Sequence, residues 1–332
     1  MTIDILIPVY KPTKRLISLI EKLETQTIPF QNIILINTEE KYFQQLLYGT
    51  HFFEKHRKIQ ITHLSKREFN HGRTRRMAVE KSNADVFVMM TQDAVPVNDT
   101  LLESLIRHLS ENVAVSYARQ IPDASSSETE QFMRRFNYPE ESMIKSKRDI
   151  PTLGIKTYFC SNVCAAYRRD IYEELGGFVR HTIFNEDMIY AAGAIQAGYR
   201  IAYEADACVN HSHDYTAMQQ FHRNFDLGVS QANYPEVFAA FSSEGEGKKL
   251  VKQTVAHLRE RKLRKHLLSF YVQCAYRYAG YWMGKHYRKL PKRIILACTM
   301  NKEYWNQEQR VRDVSKIDPT KGYGKSEMES RF

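Results

Sequence analysis

The chain has 332 residues, enough for one large α/β domain with an appendage or for two ordinary domains. Its 43% hydrophobic and 12% aromatic content excludes a globally disordered protein. The excess of 48 Lys and Arg over 38 Asp and Glu, a formal net charge of +10, suits polyanionic partners such as nucleic acid, an acidic membrane face or phosphorylated small molecules.

Residues 3–9 form an apolar run closed by Pro8, Val9 and Tyr10, the pattern of a buried parallel strand. The chain enters this run without a basic stretch and apolar segment before it, so no signal peptide is expected. No stretch approaches the about 18 apolar residues of a spanning helix, which points to a soluble or peripheral, cytoplasmic protein. Leu16, Leu19, Ile20 and Leu23 recur at helical spacing, residues 33–36 read as a second strand, and 42–48 as a helix. Residues 59–64 alternate like a third strand, 74–81 suit a helix, and 85–90 form a strongly apolar strand. This alternation argues for a doubly wound, mostly parallel sheet. Ligands of such sheets sit at the carboxyl ends of the strands, so the loops at Tyr10, Asn37, Phe69 and Thr91 are expected to face one crevice.

Residues 121–156 read as irregular. Beyond them come a strand over 159–167, a helix over 169–175 stopped by Gly176 and Gly177, a helix over 187–197 and a strand over 201–209. Residues 242–247 (SSEGEG) look like a linker, 248–293 like a basic helical stretch, and 318–332 like a loose tail. The expected division is a catalytic unit over 1–237, a basic helical region over 248–317 and the tail. Five cysteines without paired Cys-x-x-Cys spacing read as reduced core residues, not as a disulfide frame or zinc site.

Four groups carry chemistry. Thr91-Gln92-Asp93-Ala94 ends an apolar strand; Asp93 either caps the next turn or aims a carboxylate at a hard cation on a diphosphate. Asn185-Glu186-Asp187 opens a helix and is either a cap favoured by the helix dipole or a general base. His211-Ser212-His213-Asp214 follows a strand and offers an imidazole metal ligand. Phe69-Asn70-His71-Gly72-Arg73-Thr74-Arg75-Arg76 joins a loop to a helix, where backbone N–H groups and arginines suit phosphate, with nucleic acid as the competing partner.

The order of these blocks resembles the family-two glycosyltransferases: Ile5 to Tyr10, Asn70 to Arg75, Thr91 to Pro96, Leu175-Gly-Gly-Phe178, Asn185-Glu-Asp187 with Gly198 to Ile201, and His211-Ser-His213. The likeness spans roughly residues 1–230, and the Thr-Gln-Asp-Ala and Phe-Asn-His-Gly phrases look most like the bacterial rhamnosyltransferase branch. The resemblance implies a GT-A-type α/β fold and an inverting transfer of a sugar, L-rhamnose from dTDP-L-rhamnose as first choice, onto a glycan or polyprenyl-linked saccharide in cell-surface polysaccharide synthesis. It makes Asp187 the catalytic base and Asp93 with His211 the ligands of Mg²⁺ or Mn²⁺. It sets Pro8, Val9, Tyr10, Asn37, Glu39, Arg73, Arg75, Gln92 and Asp93 against the nucleotide sugar. Two positions depart from the family pattern: Thr91 replaces the first acid of the metal motif, and Asn37 replaces the acid after the second strand, with Glu39 a substitute.

A UDP-hexose or UDP-galactofuranose donor is the alternative within the same chemistry. A binding-only homologue and a nucleic-acid-binding protein are the alternatives outside it. No recognised nucleic-acid module is present, and Asp93 and Asp187 would be unwelcome beside phosphate without a metal. In the basic C-terminal stretch, Tyr271, Tyr276, Tyr278, Tyr281 and Trp282 interleave with Arg277, Lys285 and Arg288. That pattern fits either a solvated helical face or a helix lying on the cytoplasmic leaflet, and the same helices could pair in a homodimer.

Overall fold

The computed structural model describes residues 1–307 apart from 111, 213, 214 and 242; the tail expected to be loose lies outside the described residues. Its strands are β1 (Ile3–Tyr10), β2 (Asn32–Thr38), β3 (Ile59–Leu64), β4 (Val86–Met90), β5 (Val95–Pro96), β6 (Val113–Ile121), β7 (Met143–Lys145), β8 (Cys164–Arg168) and β9 (Arg200–Asn210). They join in one sheet of order β3-β2-β1-β4-β8-β6-β9-β5, with β7 paired to β9. The helices are α1 (Lys14–Glu24), α2 (Glu40–Leu47), α3 (Phe52–Lys55), α4 (His71–Glu80), α5 (Leu101–Ile106), α6 (Glu128–Asn137) and α7 (Ile150–Leu153). After them come α8 (Arg169–Glu174), α9 (Glu186–Gln196), α10 (Ala217–Asn233), α11 (Pro235–Phe238), α12 (Ser243–Glu260), α13 (Lys265–Lys285) and α14 (Lys292–Cys298).

Side chains alternate across a strand, so each strand feeds two cores. Ile3, Ile5, Ile7 and Val9 of β1 pack with Leu16, Leu19, Ile20 and Leu23 of α1 and with Leu101, Leu102 and Leu105 of α5. Leu6, Ile34, Ile36, Phe87 and Met89 face the other way, onto Ala78 and Val79 of α4 and Ala191, Ala194 and Ile195 of α9. Helices thus cover both faces, as the continuous apolar strands require.

β1 runs parallel to β2 and β4, and β2 to β3. β8 is antiparallel to both β4 and β6, while β6 and β9 are parallel. The sheet is therefore mixed, and the reversal has one consequence for chemistry. The carboxyl ends of β1, β4, β6 and β9 and the entry into β8 all fall on one edge.

Several expectations shift. The segment 121–156 holds α6, α7 and β7, with Ser127 capping α6 through the Glu130 N–H and Glu130 meeting Arg134 one turn on. The strand expected over 159–167 starts only at Cys164, because the Asn162 N–H leaves the ladder to bond Asp187. The linker-like 242–247 segment passes largely into α12.

The C-terminal helices are locked by glycines. A Cβ on Gly280 would stand 2.2 Å from the Phe221 carbonyl oxygen, one on Gly284 2.1 Å from that of Phe225, and one on Gly228 2.4 Å from that of Tyr281. α13 and α10 therefore cross backbone to backbone. Gly284→Ala is expected to lower stability by about 1–3 kcal/mol or more in urea denaturation. Gly193→Ala in α9, where nothing lies within 4 Å, is expected to be neutral or to add up to about 1 kcal/mol.

Candidate active site

A cavity of about 500 Å³ opens at the shared edge of the sheet. Its walls come from Thr91 after β4, Gln120 of β6, the turn Ser161-Asn162-Val163 before β8, the start of α9 at Asn185-Glu186-Asp187, His211 after β9, and α4, α6, α10 and α13.

Asn185 precedes α9 in the left-handed region at φ 66°, a conformation its short amide tolerates, and its Nδ2 donates to Ser230 at 3.2 Å. The turn sets the next two carboxyls in different company. Glu186 Oε1 lies 3.0 Å from Arg75 Nε and accepts the Asn162 side-chain amide at 3.1 Å. Burial alone would raise its pKa, but Arg75, His71 and the Asn162 amide outweigh burial and hold it below the usual range. Asp187 accepts the backbone N–H of Asn162 at 2.9 Å on one oxygen and that of Met188 at 2.8 Å on the other. Burial, and then the negative charge of Glu186, push its carboxyl up to about 7. The result is one fixed anion beside one carboxyl able to exchange its proton near neutrality, an arrangement suited to a general base. His71 completes this wall as a neutral ring, lowered to about 4 chiefly by burial.

His211, which also lines the cavity, is buried, and its Nδ1 lies 3.0 Å from Gln120 Oε1. That oxygen also accepts a guanidinium N–H of Arg134, while Gln120 Nε2 donates to Ser161 at 3.0 Å. Arginine only donates, so Gln120 Oε1 is an acceptor and His211 Nδ1 carries the proton. The Nε2 lone pair then faces Asp93 Oδ1 across 3.7 Å. Two acceptors so placed are a fitting donor pair for a divalent cation, with the amide behind the imidazole fixing its tautomer. Among the described residues no group of three His, Cys, Asp or Glu forms a metal cluster, so water and substrate oxygens would complete the shell. His213 and Asp214 lie outside the described residues. Arg15 knits this corner together through the Asp93 carbonyl at 2.8 Å, the Asn210 carbonyl at 2.9 Å and Asp123 at 2.9 Å.

The remaining residues expected to meet the nucleotide sugar are spread along the edge. Gln92 spends its amide on the Tyr10 backbone, at 3.1 and 2.8 Å, and so splices β4 to β1. Val9 is in the core and Pro8 is half-buried. Tyr10 meets Tyr42 edge to face at 5.9 Å, with Lys11 over both rings. Asn37 donates to His63 at 2.9 Å, leaving its own buried oxygen without a hydrogen-bond partner among the described residues. Glu39 turns to the Lys66 backbone at 2.7 Å. Arg73 is exposed on the first turn of α4. The Asn70 side chain caps that turn through the N–H groups of Gly72 and Arg73, and Gly72 packs where a Cβ would stand 1.9 Å from the Val179 carbonyl oxygen. The Asn70 to Arg76 motif therefore builds a wall, its donors committed to protein partners at Asn70, Arg75 and Arg76.

Residues 4–176 match the model of glycosyl transferase family 2. The chain belongs to that family. As a family-2 glycosyltransferase it is an enzyme whose donors are nucleotide sugars. It is 37% identical over 315 residues to the O-antigen chain rhamnosyltransferase RfbN of Salmonella typhimurium, covering 93% of this chain and 98% of that one. It is 43% identical over 252 residues to WbaN of Salmonella anatum, also an O-antigen chain rhamnosyltransferase, covering 74% and 79%. Among solved structures, the mannosyltransferase PcManGT of Pyrobaculum calidifontis, in complex with GDP-Man and Mn²⁺, matches at TM-score 0.55 and 13% identity over 87% of this chain and 88% of that one. The fold is the GT-A-type α/β fold.

Sequence reasoning passed over Asn162, Gln120, Arg15, Arg134 and Arg223, and it set Arg277 on a solvated or membrane-lying helical face, whereas the crossing of α13 on α10 turns that side chain into the cavity. Asn162 alone left a signal, a polar residue at the head of an apolar strand. Asp187, with a carboxyl at about 7 in the folded chain against 3.8 otherwise, contributes stability that is complete below the lower value and lost as pH rises through the upper one. The melting temperature of Asp187→Asn is therefore expected to gain on that of the wild type between about pH 4 and about pH 7 and to hold that gain above it. A difference independent of pH would contradict the raised carboxyl.

Proposed function

We propose that this family-2 glycosyltransferase is an inverting rhamnosyltransferase of cell-surface polysaccharide synthesis, taking dTDP-L-rhamnose and a saccharide or polyprenyl-linked acceptor. The observation that carries the reading is the meeting, in one cavity, of a carboxyl poised near neutrality with His211, whose ring faces Asp93, in a chain similar to two rhamnosyltransferases over most of its length. Asp187 takes the proton of the acceptor hydroxyl as it attacks the anomeric carbon. The Asn162 and Met188 N–H groups keep the carboxylate aimed, and Glu186 stays ionised on Arg75, so the proton goes to Asp187 and not to its neighbour. Asp93 and His211 would hold a divalent cation, which stabilises the charge gathering on the diphosphate leaving group. The Tyr10 ring, held edge to face by Tyr42, offers the base an aromatic surface at the end of β1.

With purified protein, Mn²⁺ and a saccharide acceptor, transfer from dTDP-β-L-rhamnose with an α-linked product is expected. Asp187→Asn should lower kcat by about 10²–10⁴-fold, and kcat/KM should rise with pH through about 7. Gln120→Leu, which frees the His211 tautomer, should weaken Mn²⁺-dependent dTDP binding by about 10–100-fold. Transfer from UDP-sugars alone would move the donor to a hexose or galactofuranose, and a β-linked product would remove inversion.

Membrane contact belongs to the same proposal. No helix among the described residues is long and apolar enough to cross a membrane. α13, however, turns Leu268, Tyr271, Val272, Tyr278 and Trp282 outward, with Leu268 75% and Trp282 52% exposed, beside the exposed Arg261, Lys262, Arg264 and Lys265. Arg277 and Tyr281 of the same helix point inward. An apolar face rimmed by cations fits an anionic lipid surface. Flotation with anionic vesicles at low salt should carry the protein, and Tyr278→Ala with Trp282→Ala should reduce it. Absence of flotation would rule the contact out.

A further inference from the structure

His71 opens α4, and its half-buried ring lines the cavity beside Arg75 and Glu186. Phe69 meets the ring edge to face at 5.2 Å and Phe184 lies 6.1 Å away, so both flanks are aromatic. Arg75 Nη1 stands 3.3 Å from His71 Nδ1 and also donates to the His71 carbonyl oxygen at 3.2 Å. A guanidinium only donates, so Nδ1 is the acceptor and the ring proton sits on Nε2. That N–H has no partner among the described residues. The ring is also uncharged near neutrality: burial, above all, lowers it to about 4, against the opposing pull of Glu186. The neighbouring Asn70 amide, by contrast, is used up within the protein, on Gly72, Arg73 and His181. The cavity therefore holds one neutral donor, fixed in its tautomer and left over by the fold.

We propose that His71 gives its Nε2–H to a hydroxyl or ring oxygen of the sugar under transfer, and so helps to select that sugar. An uncharged N–H offers a phosphate no ion pair, whereas it matches a neutral sugar oxygen one to one. The position fits the donor. α4 packs on β1 and β2, the strands whose ends carry Tyr10 and Asn37, and it reaches Glu186, the residue before Asp187, through Arg75. The sugar must bring its anomeric carbon to the hydroxyl that Asp187 deprotonates, which sets its own oxygens against this wall. The donor is also held in advance, because the guanidinium on Nδ1 is itself tied to Glu186. A sugar without an oxygen at that point leaves the N–H unpaired, and a site built in this way discriminates more sharply than an apolar one. The inference rests on reading the cavity as the transferase site, and it adds a contact to the sugar itself.

The test compares two ligands of the full chain by calorimetry in the presence of Mn²⁺: dTDP and dTDP-β-L-rhamnose, which differ only in the sugar. His71→Asn keeps an acceptor near the place of Nδ1 for Arg75 but ends short of Nε2. His71→Gln reaches that far position with an amide N–H. The first variant should weaken dTDP-rhamnose by about 3–10-fold and leave dTDP unchanged. The second should recover part of the loss. A merely structural role would weaken both ligands alike, and circular dichroism checks the fold of each variant. Equal losses with the two ligands, or no loss with either, overturn the inference. A wild-type chain that ignores dTDP counts against the proposed donor and not against His71. UDP and UDP-galactose then take the same comparison, in which a loss confined to the sugar nucleotide is again expected and its absence is fatal to the proposal.

Discussion

Arg75 and Glu186 meet between the second turn of α4 and the first turn of α9, both largely out of water. A buried pair is a weak source of stability, yet losing one partner leaves an uncompensated charge that costs about 3–5 kcal/mol. Its value lies in what it does to the next residue. Burial disfavours a charge on Asp187, Glu186 held ionised one position back disfavours it further, and the carboxyl stands near 7 instead of the ordinary 3.8. Exchange the two environments, and the acid facing the cavity would be the one locked on arginine. The Asn70 to Arg76 motif belongs to this constraint. Its cap, its glycine contact with Val179 and its Arg76 bonds to the Gly176 and Phe178 carbonyls fix α4 so that Arg75 reaches Glu186.

The reversed strand β8 matters for the same reason. Were the strand after β4 parallel, its carboxyl end would face the cavity and its entry would lie on the far edge. Because β8 is antiparallel, the turn 161–163 enters the ladder at the cavity. There the Asn162 backbone serves Asp187, its side-chain amide serves Glu186, and its own oxygen accepts the Tyr167 hydroxyl at 2.7 Å. One residue thus aligns both carboxyls and ties them to the aromatic stack of Tyr167 and Phe87 under the sheet.

Much of this was legible in the sequence, and the boundary has a physical cause. Apolar period revealed β1 to β4, α1, α4, α9 and β9, since a buried strand or an amphipathic helix must write its burial into composition. Charged residues at strand ends and helix starts marked Asp93, Asp187 and His211, because polar groups there are conspicuous against apolar runs. Gln120, Asn162 and Arg15 stayed hidden, as a buried hydrogen-bonding role leaves no periodicity. Gln92 and Glu39 show the converse: both are polar residues at the right loops, yet their side chains serve the Tyr10 and Lys66 backbones. The basic stretch after residue 248 was the hardest to divide. Arg277 and Trp282 look equally solvated in sequence, and only the crossing of α13 on α10 turns one inward and the other out.

That crossing links stability to chemistry. Gly228, Gly280 and Gly284 bring the two backbones into contact, and a helix pair so close has little freedom to slide or rotate. Arg223 and Arg277, which line the cavity, are therefore presented from a rigid base. Helical rotation then puts the exposed aromatics of α13 on its outer face.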